Sequence, residues 1–261
     1  MIDLHIPTLG RVGKQTTLVN LPKKWRRRCI LVVQKADYQS NQAEYDELCE
    51  WHGCRLRLLP DHITTISPTR QYLIDTCDRS IIVMMDDDLV FSARRSDNPT
   101  KFRSMTEDDY DAMFNRLSDS LYTYAHVGVS HREGANRNTD EYVYNSRQMR
   151  VLGYNLPKVD RHGIVFGRIP VMEDFDVCLQ LLRAGEPNCL DNMFVHNQGG
   201  SDTSGGCSTF RTRALQAEAA HALHELHPDF VKVVQKETKT SWGGEVRTDV
   251  RISWKKSYGA G

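Results

Sequence analysis

Several common sequence signatures are missing from this 261-residue chain, and each absence argues against a class of protein. Basic and acidic residues balance at 34 each, so no net charge draws a polyanion to the whole surface. The seven cysteines are odd in number and form no CxxC pair, which argues against a zinc ribbon or a disulfide scaffold. No apolar run approaches the roughly 20 residues that span a bilayer. We therefore expect a protein of a reducing cytoplasm with no membrane partner.

Signs of a second domain or of a targeting segment are missing too. There is no internal repeat, no low-complexity tract and no linker-like stretch between domains. Residues 1–7 lack the basic start and the long apolar core of a signal peptide. Because a chain of this length can bury one substantial core, we expect a single soluble domain over residues 1–261 that is monomeric.

What the sequence does contain is an alternation of strands and helices in its first half. Apolar, β-branched runs predict strands, and the polar segments between them predict helices, one of which has Ser67 as its N-cap. This alternation is typical of an α/β fold with a mostly parallel sheet flanked by helices. The predicted strands are 2–6, 29–34, 55–59 and 80–85, and the predicted helices are 41–51 and 68–79.

The second half is less regular. Apolar residues at helical spacing and N-terminal acids predict three helices, and short apolar runs predict three strands. A polar loop and a glycine-rich segment separate some of these elements. The predicted helices are 106–122, 173–184 and 208–227, the strands are 126–130, 191–196 and 246–254, and the two irregular segments are 131–141 and 198–206.

Three consecutive acids, Asp86, Asp87 and Asp88, end the strand predicted at 80–85. Because unpaired charge is costly to bury, they must emerge at the strand end or meet a cation. On an extended chain Asp86 and Asp88 point the same way, so both can face one Mn²⁺ or Mg²⁺ ion. The alternative is an acidic turn that merely ends the strand. Since ligands bind at the carboxyl ends of parallel strands, the position favours a cation that holds a nucleotide diphosphate.

Two downstream elements allow both a structural and a chemical interpretation. Glu173 and Asp174 open a predicted helix, where they could serve only the helix dipole or could supply a general base for an acceptor hydroxyl. His196 ends a predicted strand and is either a hydrogen-bonded structural residue or a further metal ligand.

The glycine-rich segment 198–206 follows His196 and is either a linker or a lid over a ligand. As a lid it would exclude water, and its backbone N–H groups could bind a diphosphate. Arg211 and Arg213, just beyond it, could hold phosphate. The Pro7–Arg11 segment follows the first strand and should reach the same edge of the sheet.

One basic run, Lys23-Lys24-Trp25-Arg26-Arg27-Arg28, stands out from the balanced composition. It is either a solvated turn or, through Trp25, a surface that binds a phosphate backbone and stacks a base. The polar loop at 131–138 could frame an acceptor, and Tyr142, Tyr144 and Asn145 could hold a flipped base. We interpret His221, His224 and His227 as surface histidines of an ordinary helix.

Taken in order, these motifs resemble the nucleotide-sugar glycosyltransferases of the GT-A fold over most of the chain. The resemblance implies a single GT-A-like domain with a nucleotide-binding half at about 1–105 and an acceptor-binding half at about 106–261. The acids at 86–88 match the DxD motif, which implies Mn²⁺ or Mg²⁺ at Asp86 and Asp88. It also implies a UDP-type sugar donor. The further matches imply donor contacts at Pro7, Thr8, Arg11, Arg70, Asp86, Asp87 and Arg211, a catalytic base at Glu173 or Asp174, and a metal contact at His196.

A narrower resemblance rests on Ser67-Pro68-Thr69-Arg70, the 201–209 loop and the ending Trp242-Gly243-Gly244 … Trp254-Lys255-Lys256. In these marks the chain is similar to the phage TET-associated glycosyltransferases. That resemblance implies transfer to a 5-hydroxymethylpyrimidine, and we expect 5-hydroxymethylcytosine, in phage DNA within the host cytoplasm. The alternatives are a saccharide, lipid or protein acceptor on the same fold, or a module that binds nucleotide sugar or DNA without turnover.

Overall fold

Ten strands pair into one sheet in the computed structural model of the chain, which describes residues 2–198, 212–237 and 246–260. A separate hairpin lies near the end of the chain. The sheet strands are β1 Leu4–Thr8, β2 Cys29–Gln34, β3 Arg55–Leu59, β4 Ile81–Met85, β5 Leu89–Arg94, β6 Phe102–Ser104, β7 His126–His131, β8 Tyr142–Tyr144, β9 Val151–Asn155 and β10 Asn188–Gln198, and the hairpin strands are β11 Val231–Glu237 and β12 Val246–Ile252.

Helices cover both faces of this sheet. The longest, α6, begins with a capping box in which Thr106 and Asp109 satisfy each other's backbone N–H groups. A 3-10 turn spans Val12–Lys14. The helices are α1 Thr16–Asn20, α2 Lys23–Arg26, α3 Lys35–Ser40, α4 Gln42–His52, α5 Ile66–Asp75, α6 Glu107–Thr123, α7 Arg132–Ala135, α8 Leu156–Arg161, α9 Glu173–Arg183, α10 Arg213–Leu226 and α11 Trp254–Ser257.

The strand order places the first four strands side by side. The order is β3-β2-β1-β4-β9-β7-β10-β5-β6, and β8 pairs with β10. β1 to β4 are parallel, whereas β9, β5, β6 and β8 run antiparallel to their neighbours. The predicted α/β class with a parallel region is therefore confirmed. The carboxyl ends of β1 to β4 meet at one edge, which is where such sheets bind ligands.

Alternating side chains build a core on each side of the sheet. Leu4, Ile6 and Leu31 point into one cluster with α4 and α6, while Val32 and Met84 point into the other with α5 and α9. A third cluster joins α9, α10 and the hairpin. The hairpin is thus fixed to the outer side of α9, whose first residues lie at the ligand-binding edge.

Several predictions about local structure are wrong. Ser67 does not cap α5, because the helix already begins at Ile66 with Thr65 as its N-cap. The Ser67 hydroxyl instead donates to the Ile169 carbonyl oxygen at 3.0 Å. His227 is not a surface residue: it is 1% exposed and hydrogen-bonded to the buried Asp176 at 2.8 Å.

The glycine-rich residues 199–206, Arg211 and 242–244 lie outside the described residues, so the predictions made for them stay predictions. Within the described ranges, no helix is long and apolar enough to cross a membrane.

Buried histidines give the fold a dependence on pH. His126 stacks on Tyr154 with ring centroids 4.3 Å apart and donates its Nδ1 proton to the Gly153 carbonyl oxygen. Its Nε2 is buried without a hydrogen-bond partner among the described residues. Burial lowers the pKa of His126 to about 4, and that of His5 to about 4 as well. Both rings are therefore neutral in the folded protein at neutral pH.

We expect the free energy of unfolding to fall as pH falls from 6.5 towards about 4. In this window the unfolded chain binds a proton at His126 and the folded protein does not, which costs about 1.4 kcal/mol per pH unit. Urea unfolding at a series of pH values measures the slope. His126→Phe keeps a stacked ring but cannot bind a proton, so it should reduce the slope of unfolding free energy against pH by up to about 1.4 kcal/mol per pH unit. An unchanged slope would contradict the lowered pKa of His126.

Candidate active site

A cleft of about 610 Å³ lies at the carboxyl ends of β1 to β4. Its walls are the β1–α1 segment, the turn after β4, the start of α9 and the C-terminal hairpin. The fold brings nine of the predicted site residues to this one cleft, although they come from four distant parts of the sequence. These nine are Pro7, Thr8, Arg11, Arg70, Asp86, Asp87, Asp88, Glu173 and Asp174.

Asp87 fastens the segment after β1 to the tip of β4. Its carboxylate accepts a hydrogen bond from the Thr8 hydroxyl at 2.6 Å and another from Arg11 Nη1 at 2.8 Å. Burial raises the pKa of Asp87, while these two donors act in the opposite direction. Because both of its oxygens are engaged and it is 5% exposed, Asp87 holds the shape of the cleft.

Asp86 and Asp88 are the acids that remain available to a ligand. Burial raises the pKa of Asp86 to about 7; Arg70 opposes this shift, and Asp88 adds to it. Asp88 accepts from Arg11 Nη1 at 3.3 Å through Oδ2, but its buried Oδ1 has no hydrogen-bond partner among the described residues. An orphaned carboxylate oxygen beside a second acid fits a hard divalent cation, which would satisfy the oxygen and stabilise both negative charges.

Arg70 connects the two acidic motifs. Its guanidinium, 6% exposed, donates to Glu173 Oε1 through Nη1 and to Asp86 Oδ1 at 3.4 Å through Nη2. Burial alone would lower the pKa of Arg70, but the neighbouring Glu173 and Asp86 carboxylates have the larger effect and raise that pKa. One arginine from α5 thereby sets the position of the β4 tip relative to the start of α9.

Glu173 and Asp174 are adjacent in sequence but differ in their surroundings. Glu173 is 5% exposed and pairs with Arg70. Asp174 is half-buried at the cleft wall and forms no hydrogen bond or ion pair with the described residues. The preceding Met172 adopts a left-handed φ of 65°, which is a strained conformation for a side chain of this kind. Of the two acids, Asp174 is the one whose carboxylate is free to meet an acceptor.

His196 is placed differently from the other candidates. It is fully buried in β10 and does not line the cleft; burial lowers its pKa to about 3. Its ring lies 5.5 Å from that of His131, which does line the cleft. No cluster of three His, Cys, Asp or Glu side chains in the described ranges could hold a metal. Asp86, Asp88 and His196 therefore do not converge, and the ligand role of His196 stays a prediction.

Several cleft residues were missed by the site predictions from sequence. Arg150 adopts a left-handed φ of 62°, and its carbonyl oxygen accepts the Asp86 N–H at 3.0 Å. The loop predicted to frame an acceptor does contribute His131 and Glu133 to the cleft. Gln198, the first residue of the glycine-rich segment, also lines the cleft. Other members carry no site motif and approach the acids only through folding, among them Arg147, Met149, Gln216, Lys236, Arg247 and Asp249.

The interpretation of Trp25 as a base-stacking residue is wrong. Trp25 is 4% exposed, packs on Phe114 with ring centroids 4.3 Å apart, and donates its indole N–H to Asp111. Its ring therefore belongs to the core. The surrounding basic run precedes β2 and so lies at the sheet edge opposite the cleft. Tyr142 and Tyr144 stack on each other in β8 and do not line the cleft.

Comparison with solved structures identifies the architecture. TarS residues 1–349 of S. aureus, solved with UDP-GlcNAc, superpose with a TM-score of 0.53 and 9% identity over 85% of this chain and 66% of that one. Glucosyl-3-phosphoglycerate synthase from Mycobacterium tuberculosis, solved with Mn²⁺, UDP and glucosyl-3-phosphoglycerate, gives a TM-score of 0.54 at 8% identity. This match covers 97% of the present chain and 86% of the synthase chain. The fold is that of the GT-A glycosyltransferases.

Sequence comparison narrows this class. The family model described as TET-Associated Glycosyltransferase matches residues 2–206. Proteins named Beta-glucosyl-HMC-alpha-glucosyl-transferase from Enterobacteria phages T6 and T2 are each 24% identical over 240 residues, with 88% of this chain and 82% of each relative covered. The chain belongs to the TET-associated glycosyltransferase family and is a glycosyltransferase.

We expect Arg70→Met to destabilise the protein by about 3–5 kcal/mol, because it removes the buried guanidinium that pairs with both Glu173 and Asp86. Arg70→Met combined with Glu173→Gln should recover much of this loss, since the remaining amide needs no counter-ion. Urea unfolding at neutral pH measures both variants. A loss below about 1 kcal/mol in the single variant would show that the ion pair does not hold the cleft together.

Proposed function

We propose that this chain transfers a sugar from a uridine-diphosphate donor to 5-hydroxymethylcytosine in DNA, as a monomer in the cytoplasm of a phage-infected cell. The observation that carries the proposal is that Asp86, Asp88 and Asp174 line one cleft, in which Arg70 joins Asp86 to Glu173, the neighbour of Asp174. The donor is supported by the UDP held in both similar structures, and the acceptor by the HMC in the names of the two phage relatives.

The donor would bind at the ends of β1 to β4. Pro7 and Thr8 lie where a nucleobase can rest, together with Val32, Gln34 and Leu59 from the neighbouring strand ends. Asp86 and Asp88 would hold Mn²⁺ or Mg²⁺, the diphosphate completing a coordination shell that two carboxylates leave open. When bound, the cation neutralises the negative charge of the leaving diphosphate. The first half of the chain thus acts as the nucleotide-binding half.

Asp174 would act as the general base in an inverting reaction. The acceptor hydroxyl oxygen attacks the anomeric carbon, whose bond to the diphosphate oxygen breaks, and the hydroxyl proton passes to Asp174 as UDP leaves. Glu173 is less suited to take this proton, because Arg70 already occupies its carboxylate. It would position Arg70 and, through Arg70, Asp86.

A second candidate acceptor is a sugar hydroxyl on an already glucosylated hydroxymethylcytosine. The names of the phage relatives contain two glucosyl groups as well as HMC, which favours it. The cleft suits either acceptor, since His131, Glu133 and Arg147 offer polar groups beside Asp174. The two acceptors differ by one hexose, so the same experiment separates them.

The function is tested by product mass. The protein is incubated with UDP-sugars, Mn²⁺ and DNA that contains cytosine, hydroxymethylcytosine or glucosyl-hydroxymethylcytosine, and the digested nucleosides are weighed. We expect a gain of one sugar on a hydroxymethylated substrate and none on cytosine. No gain on any hydroxymethylated DNA across a full donor panel would refute the DNA acceptor. Transfer of the sugar to an added saccharide, with release of UDP, would favour the saccharide acceptor.

The two acids of α9 should respond differently to amide substitution. We expect Asp174→Asn to lower kcat by about 10²–10⁴-fold with little change in the KM for the donor, because it removes only proton transfer. Glu173→Gln, the matched control, should mainly raise the donor KM, since it releases Arg70 and with it Asp86. A larger kcat loss in the Glu173 variant would assign the base to Glu173 instead.

A further inference from the structure

The C-terminal hairpin carries a cationic face that the proposed chemistry does not use. Side chains alternate along a strand, so every second residue of β11 shares a face with its cross-strand partner on β12. On one face Lys232 pairs with Arg251, and Lys236 pairs with Arg247. The remaining pair on this face joins Val234 to Asp249. We call these six residues the cationic face.

This face holds more positive charge than its own carboxylate can neutralise. Asp249 Oδ2 accepts from both Lys236 Nζ at 2.8 Å and Arg247 Nη2 at 3.0 Å. Lys232 and Arg251 are exposed and form no ion pair with any residue in the described ranges. Four cations and one carboxylate leave three positive charges uncompensated. Because like charges directly opposite each other destabilise a strand pair, this arrangement favours an anionic partner.

The cationic face begins at the active-site cleft and leads away from it. Lys236, Arg247 and Asp249 line the cleft that contains Asp174. Lys232 and Arg251 lie four residues further along the two strands, about 13 Å away at strand spacing. The opposite face of the hairpin packs its buried Val231 and Val250 in the cluster that contains α10. Lys232, Lys236 and Arg251 of the cationic face remain exposed and can meet a partner.

We infer that the cationic face binds consecutive phosphates of the acceptor DNA strand and guides the modified base to Asp174. This inference rests on the proposed DNA acceptor. One strand of a DNA helix advances about 3.4 Å along the axis per nucleotide, so about 13 Å of cationic face matches the axial length of about four nucleotides. The surface lies beyond residue 206, where the match to the family model ends.

A second basic surface provides a matched control. Lys23 and Arg27, at the sheet edge opposite the cleft, are exposed and, like Lys232 and Arg251, form no ion pair with the described residues. Lys23→Ala with Arg27→Ala removes the same charge as Lys232→Ala with Arg251→Ala. Both double variants leave Asp249 paired, so neither creates a buried unpaired carboxylate.

The test is DNA affinity as a function of salt for the wild type and the two double variants, with thermal unfolding to confirm that each folds. The probe is a duplex that contains hydroxymethylcytosine. We expect the hairpin variant to lower the slope of log Kd against log salt by about two, one for each lost phosphate contact. Its KM for UDP-sugar should not change. The control variant should keep the wild-type slope.

The salt dependence of DNA binding and the KM for UDP-sugar together decide whether the inference holds. A hairpin variant with the wild-type slope overturns the inference, as does an equal fall in both variants, which would mean a general charge effect. A rise in the UDP-sugar KM alone would assign the face to the donor and also overturn it. If the wild type neither binds DNA in a salt-dependent way nor modifies it, the proposed acceptor fails before the hairpin is tested.

Discussion

The active-site cleft depends on the ion bridge that Arg70 makes between Asp86 and Glu173. These three groups come from α5, the tip of β4 and the start of α9, and Arg70 and Glu173 are almost fully buried. Without the guanidinium, several carboxylates would face one another in a poorly solvated space. The bridge therefore lets the fold hold several acids close together at one edge of the sheet.

Acidic and basic side chains both line the cleft of a chain that is neutral as a whole. The acids at the tip of β4 and the start of α9 form one side, and the hairpin cations Lys236 and Arg247 form another. A cleft with this arrangement suits a donor held through a cation and a polyanionic acceptor held directly. The same balance explains why composition alone gave no sign of either partner.

Sequence patterns predicted the elements whose causes are local. The strands at 29–34 and 55–59 were predicted with the bounds of β2 and β3. The apolar β-branched run of β2 and the alternation of arginine and leucine that begins β3 are both local signals. Strand β5 was missed, although its buried Leu89, Phe91 and Ala93 alternate, because only the three acids 86–88 separate it from the end of β4. Trp25 was misplaced because no local pattern shows that Phe114 lies against it.

The sequence by itself determined the α/β class and the family, and its short motifs of strand-end and helix-opening acids predicted residues that the fold brings into one cleft. Only the tertiary structure decided what each acid contacts. Asp87 accepts a hydrogen bond from Thr8 in the segment after β1, and Glu173 pairs with Arg70. Asp174 keeps its carboxylate available to a ligand in the cleft. The tertiary structure also places hairpin residues Lys236, Arg247 and Asp249 in the lining of the cleft. These outcomes depend on contacts between residues up to 103 positions apart, whose geometry no local pattern encodes.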